Sequence, residues 1–111
     1  MLFAFSVAPT STADDSASMS RAVAEAVRVV RDSGLPYETT SMFTTIEGEW
    51  DEVMPVIRAA TDAVLAVAPR VSLVLKADLR PDRSGELRGK VERVERHLAG
   101  GRESDDEGGR A

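Results

Sequence analysis

Apolar and polar positions alternate in some stretches of the chain and recur at helical spacing in others. Residues 2–8 read as a buried strand, with Phe3, Phe5 and Val7 on one face and Leu2, Ala4, Ser6 and Ala8 on the other. Pro9 ends it, because proline cannot donate to a sheet ladder. Residues 10–18 form a polar loop in which Asp14, Asp15, Ser16 or Ser18 could each cap the next helix. Met19, Val23, Val27 and Val30 then recur at helical spacing, with Arg21, Glu25, Arg28 and Arg31 largely outside that stripe. Arg21 and Glu25 stand one turn apart and can pair in solvent. Gly34 is placed to close the helix, and Pro36 keeps it from resuming.

Tyr37, Thr39 and Thr40 favour a strand over residues 37–41, and a third strand over 43–47 completes a hairpin around Ser41-Met42. That turn lacks the usual Asn-Gly or Asp-Gly. The spacing predicts a second helix over 51–67 with Val53, Ile57, Ala60 and Val64 on one face and Pro55 in its first turn. Asp51 and Glu52 suit the positive end of its dipole. Residues 70–79 alternate, with Val71, Leu73, Leu75, Ala77 and Leu79 on one side. After a turn at 81–85, Leu87, Val91, Val94 and Leu98 give a third amphipathic helix. From residue 99 the chain turns Gly-rich and acidic without apolar periodicity, which predicts a disordered tail over 99–111.

The order β-α-β-β-α-β plus a helix implies an α+β, ferredoxin-like domain over residues 1–98, an antiparallel four-stranded sheet with two helices on one face. The other face is then left open. Phe3, Phe5 or their neighbours are expected on it, as an association surface for a homo-oligomer.

Composition narrows the class further. One domain is the natural reading of 111 residues with 42% hydrophobic and 30% charged side chains. A net charge of −5 argues against nucleic acid, and the absence of cysteine removes disulfides, thiolate metal sites and cysteine nucleophiles. The apolar start lacks a positive n-region and is broken by Ser6 and Pro9, so it does not read as a signal peptide. No run approaches membrane-spanning length. A cytoplasmic protein without membrane attachment is expected. His97 has no second His or Cys at ligand spacing, and Asp14-Asp15 lacks the glycine of a calcium loop. With no Ser-His-acid arrangement and no glycine-rich phosphate loop, the chain reads as a non-enzyme without metal or cofactor.

The densest collection of candidate chemistry lies between Thr39 and Met54. There Thr44, Thr45 and Glu47 stand in an otherwise apolar strand beside the chain's one tryptophan, Trp50. The segment SGLPYETTSMFTTIEGEWDEVMPVI, with VSLVLKADLR and a late KVERVERHL helix, resembles the thiamine-binding protein family of small ferredoxin-like chains. The resemblance covers about residues 2 to 98. Its most specific part is Met42, Thr44, Ile46, Glu47 and Gly48 in register with Ser33-Gly34-Leu35 and Tyr37. Asp78 and Arg80 after an alternating strand support it, as does Ser20 just before Val23-Ala24.

That resemblance implies a cytoplasmic dimer or tetramer built through its sheets. It further implies binding of thiamine, or of its hydroxymethylpyrimidine part, near a subunit interface and without turnover. This chain departs from the family pattern at Ser41, where proline is usual, and at Phe43, where glycine is usual. A phenyl ring there would either close a pocket or supply a stacking wall.

Glu47 is the leading ligand candidate, because a carboxyl group can match the ring-nitrogen acceptor and amine donor of an aminopyrimidine when one partner is protonated. As a carboxylate it would offset a thiazolium charge. The plainer role for Glu47 is a strand-end acid favouring the dipole of the following helix. Thr44 and Thr45 point to opposite faces. Strict alternation places Thr45 with Glu47, whereas the family pattern favours Thr44. Trp50 either stacks on a cationic ring or covers the start of the second helix. Ser20 either binds ligand or lies in a first helical turn. Two other readings stand beside vitamin binding: a regulatory or scaffold oligomer for another metabolite or a protein partner, and an RNA-binding sheet using Phe3 or Phe5.

Overall fold

The computed structural model describes residues 1–9, 16–82 and 84–108, with backbone only for 16–19, 90 and 101–108. Its elements run β1 (Leu2–Pro9), α1 (Ser16–Asp32), β2 (Tyr37–Thr39), β3 (Thr44–Glu47), α2 (Trp50–Leu65), β4 (Val71–Asp78) and α3 (Glu86–Gly108). The sheet order is β2-β3-β1-β4, and every neighbouring pair is antiparallel. This is the ferredoxin-like arrangement that the element order implies. The candidate caps Asp14 and Asp15 fall outside the described residues.

Register decides which face each strand residue takes. Phe3 pairs with Ile46 and Ala77, and Phe5 with Thr44 and Leu75, so these residues share one side of the sheet. On that side Phe3, Phe5 and Ile46 are buried with Val30 of α1 and with Val53, Ile57, Ala60 and Val64 of α2. Phe3 and Phe5 therefore belong to the core beneath the helices and not to the open face. The sheet-aromatic RNA platform has no residues left to build it. Their neighbours Leu2 and Ala4 do face the open side, opposite Glu47, Thr45, Asp78 and Lys76.

Helix α2 buries the four residues that its spacing predicts. It begins at Trp50, one residue before the expected start, so Pro55 is its sixth residue and lies beyond the first turn. The Glu52 carboxylate accepts the backbone N–H of Glu49 at 3.0 Å and satisfies one donor of the helix start. Helix α1 differs from its prediction. Ala22, Ala26 and Val30 are buried, whereas Val23 is exposed and Val27 half-buried. Glu25 pairs with Arg28 at 3.1 Å and not with Arg21. The helix closes as expected: Gly34 has φ 81°, a left-handed conformation that favours glycine.

At the other edge of the sheet, β4 forms where the alternation predicts a strand, but its burial does not alternate. Leu73, Val74 and Leu75 are all exposed. The last difference concerns α3, which continues to Gly108 where the composition predicts helix only to Leu98. Its stripe residues Val91, Val94 and Leu98 stay exposed, because α3 packs on β3 through its N-terminal end.

Candidate functional site

The two ends of β3 present different chemistry. At its start, the β2–β3 hairpin, β1 and α1 enclose a groove of about 230 Å³. Its apolar wall includes Phe5, Val23, Val27 and Phe43, and its polar groups include Thr39 and Thr44. Thr44 is only 8% exposed, an unusually buried hydroxyl. Its Oγ1 lies 3.2 Å from Thr39 Oγ1, so one hydroxyl donates to the other. One donor of the pair is then left free, together with unused acceptor positions.

The hairpin that forms this wall lacks Asn-Gly, and Thr40 takes over the turn chemistry. Its hydroxyl donates to the Phe43 carbonyl at 3.1 Å and accepts the N–H groups of Met42 and Phe43 at 3.4 and 3.3 Å. The backbone N–H of Thr40 also donates to the Phe43 carbonyl at 2.9 Å. These bonds set where the Phe43 ring stands. Thr40→Ala should therefore cost about 1 kcal/mol, read as a lower midpoint in urea unfolding with an unchanged slope.

At the other end of β3 the Glu47 carboxylate is already engaged. Its Oε2 accepts the backbone N–H of Glu86 at 2.8 Å, and its Oε1 accepts that of Leu87 at 3.4 Å. Those donors are the first of α3, and free N–H groups at a helix start attract negative charge. Glu86 is buried and holds Arg93 at 2.9 Å. Glu47 thus performs the helix-dipole role of a strand-end acid, but for α3 and not for the α2 that follows it in sequence. Trp50, partly exposed, meets Phe3 edge to face with centroids 5.3 Å apart, which covers the start of α2.

The six residues singled out from the sequence are therefore dispersed. Phe43 and Thr44 meet in the groove. Thr45 faces the open side with Ala4 and Glu38. Ser20 is exposed on α1, one turn before the groove residue Val23. Glu47 and Trp50 stand at the far end of β3. The groove residues that periodicity assigns to the core and not to a site are Val23 and Val27. Their exposure follows from alanines taking the core side of α1. Among the described residues no group of three or more His, Asp and Glu could hold a metal ion, and no helix is long and apolar enough to cross a membrane.

A small ferredoxin-like domain with an open sheet face and a partly apolar groove is the class defined by these features. The chain belongs to the thiamine-binding protein family, whose profile matches residues 3–95. It is 50% identical over 99 residues to a UPF0045 protein of Mycobacterium bovis, covering 88% of this chain and 94% of that one. A hypothetical protein of Methanocaldococcus jannaschii has the same fold with TM-score 0.73 and 28% identity, over 84% of this chain and 93% of that one. A Thermotoga maritima protein provisionally assigned to thiamine biosynthesis or salvage shares the fold at TM-score 0.69 and 23% identity, over 84% and 96% of the two chains.

Proposed function

We propose that this chain is a non-catalytic binding protein for thiamine or its hydroxymethylpyrimidine part, acting as a cytoplasmic homo-oligomer with its sites near a subunit interface. The observation that carries the reading is the buried Thr44 hydroxyl in the groove walled by Phe43, in a member of the thiamine-binding family. The Thr39–Thr44 pair offers a donor beside an acceptor, which is the complement of an aminopyrimidine edge. Phe43 supplies a flat wall for the ring. The cavity of about 230 Å³ is smaller than the ~300–1,000 Å³ of sites for drug-sized ligands. That size suits the single pyrimidine ring, with the thiazolium part of thiamine reaching beyond the groove. The exposed apolar residues of β4 support association, and a second subunit would extend the site. Ser20 would contact only a ligand that reaches past the groove, and Thr45, on the opposite face of the sheet, would contact only a ligand bound at that face. Glu47 and Trp50 would act on the far side of β3, where each already has a structural partner.

The test is isothermal titration with thiamine, hydroxymethylpyrimidine and unrelated heterocycles, repeated on Thr44→Val. Removing the hydroxyl while keeping the shape should weaken binding about tenfold, the effect of one lost hydrogen bond to a buried partner. Equal affinity for the variant would remove Thr44 from the site. A second reading, a regulatory or scaffold oligomer for another metabolite or a protein, draws on Phe43 standing where the family has glycine. Saturating thiamine and hydroxymethylpyrimidine without heat would favour it.

A further inference from the structure

The apolar stripe of α3 is built for a helix, and its flanking charges say which one. Leu87, Val91, Val94 and Leu98 follow the spacing i, i+4, i+7, i+11, the alternating three- and four-residue steps of a heptad seam. Val91, Val94 and Leu98 are 52%, 58% and 76% exposed, so the chain's own sheet does not cover them. Of the other elements α3 packs mainly on β3, and the chain measures 57 Å along its longest axis against 30 and 19 Å along the others. Beside the stripe a groove of about 430 Å³ runs between α3 and β2, with Leu87 and Val91 on one wall and Tyr37 and Glu38 on the other. A neighbouring helix laid on the stripe would close it.

We infer that this stripe pairs with the α3 helix of a second copy of the chain, antiparallel about a two-fold axis. With Val91 and Leu98 at one core position of the heptad and Leu87 and Val94 at the other, antiparallel packing sets Leu87 against Leu98 of the second copy and Val91 against its Val94. The two-fold repeats both layers. The same register brings Arg88 beside Glu95 of the second copy, and Glu95 beside its Arg88, since like flanking positions meet in antiparallel pairs. Both residues are exposed beside the stripe. A parallel, in-register pair would set each stripe residue against its own copy and would leave Arg88 and Glu95 apart. Charge complementarity between Arg88 and Glu95 thus fits a second α3 laid antiparallel. The contact is self-complementary and closes on itself, as a two-fold interface must.

An isolated helix that packs little of its length on the body is marginal by itself in water, so the pairing needs α3 formed in advance. The Glu47 carboxylate at its first N–H groups and the Glu86–Arg93 pair provide that. Arg93 reaches Glu86 across Gly89, where an added Cβ would lie 3.4 Å from the Arg93 guanidinium. These contacts fix the N-terminal end of the helix to the body while its stripe stays outward. The pairing stands apart from the ligand reading, because the groove at Phe43 lies at the other end of β3.

Light scattering on the full chain at micromolar concentration tests it. The native protein should have the mass of an even number of chains, and Val94→Glu, at a position already exposed, should halve that mass with unchanged circular dichroism. Arg88→Glu and Glu95→Arg should each weaken association about tenfold, from two lost pairs and the like charges that replace them. The double reversal should restore association. Because the chain has no cysteine, Leu87→Cys with Leu98→Cys should oxidise to a covalent dimer, whereas Leu98→Cys alone should not. A native monomer, a Val94→Glu mass equal to the native one, or cross-linking by Leu98→Cys alone would overturn the inference. Thiamine or hydroxymethylpyrimidine titrated into Val94→Glu reads the ligand site separately.

Discussion

Replacing Glu47 with alanine should release the N-terminal end of α3 and lower stability by about 2–3 kcal/mol. The magnitude follows from two backbone N–H groups losing a charged acceptor, each such bond contributing about 1.5–3 kcal/mol, with water recovering part of the loss. The longer bond, 3.4 Å to Leu87 N, is the weaker of the two. Hydrogen exchange should show the change where it arises. The amides of Glu86 and Leu87 should lose protection, while those of α2 continue to report global unfolding. Glu47→Gln keeps an acceptor oxygen but not the charge, and should fall between alanine and the native residue.

The variant also separates two roles for Glu47. If it only holds α3, affinity for a pyrimidine in the groove at Phe43 and Thr44 should be unchanged when measured below the melting range. Loss of affinity together with loss of α3 protection would instead place the carboxylate at the ligand.

The contrast between α1 and α2 shows what periodicity can and cannot reveal. In α2 the apolar positions Val53, Ile57, Ala60 and Val64 form the one strong stripe, and the structure buries that stripe. In α1 two stripes compete. A hydrophobicity ranking prefers Val23 and Val27, yet Ala22 and Ala26 take the core side, within the cluster that also contains Ala60 of α2. Small residues let a helix approach its neighbours closely, a requirement of packing that a transfer scale does not contain. The displaced valines then become the wall of the groove. Thr44 was legible as a candidate because it is a hydroxyl in an apolar strand, and Phe43 because it departs from the glycine usual in the family pattern. The engagement of Glu47 was not, because its partners lie 39 and 40 residues away.

Pattern also left the edges of the fold open. Alternation in β4 and the heptad spacing of α3 both announce a buried face, and in the single chain neither face is covered. Local sequence encodes burial without naming the partner. The same incompleteness at β4 and at α3 is what an oligomer-forming chain would show, with different surfaces completed by other copies.

Gly48→Ala should destabilise the domain by about 1–3 kcal/mol, the usual cost of inserting a methyl group into a packed site. An added Cβ would lie 2.8 Å from Val53 Cγ2 and 3.2 Å from Glu52 Oε1. Glu52 is flexible and can move, but Val53 is fully buried beneath the sheet and cannot swing into solvent. The backbone at Gly48 cannot retreat freely either, because its N–H donates to the Met1 carbonyl at 3.0 Å and ties β3 to the start of β1. The glycine therefore sets how closely the first turn of α2 approaches the end of β3, and with it the position of Glu47 one residue earlier. Chemical denaturation should give the loss as a lower midpoint. A double-mutant cycle identifies the cause: Val53→Ala is costly alone, but it removes the atom that the new methyl group meets. The combined variant should be more stable than the sum of the single losses predicts, by about 1 kcal/mol or more. Strict additivity would mean that the glycine acts through backbone freedom and not through its contact with Val53.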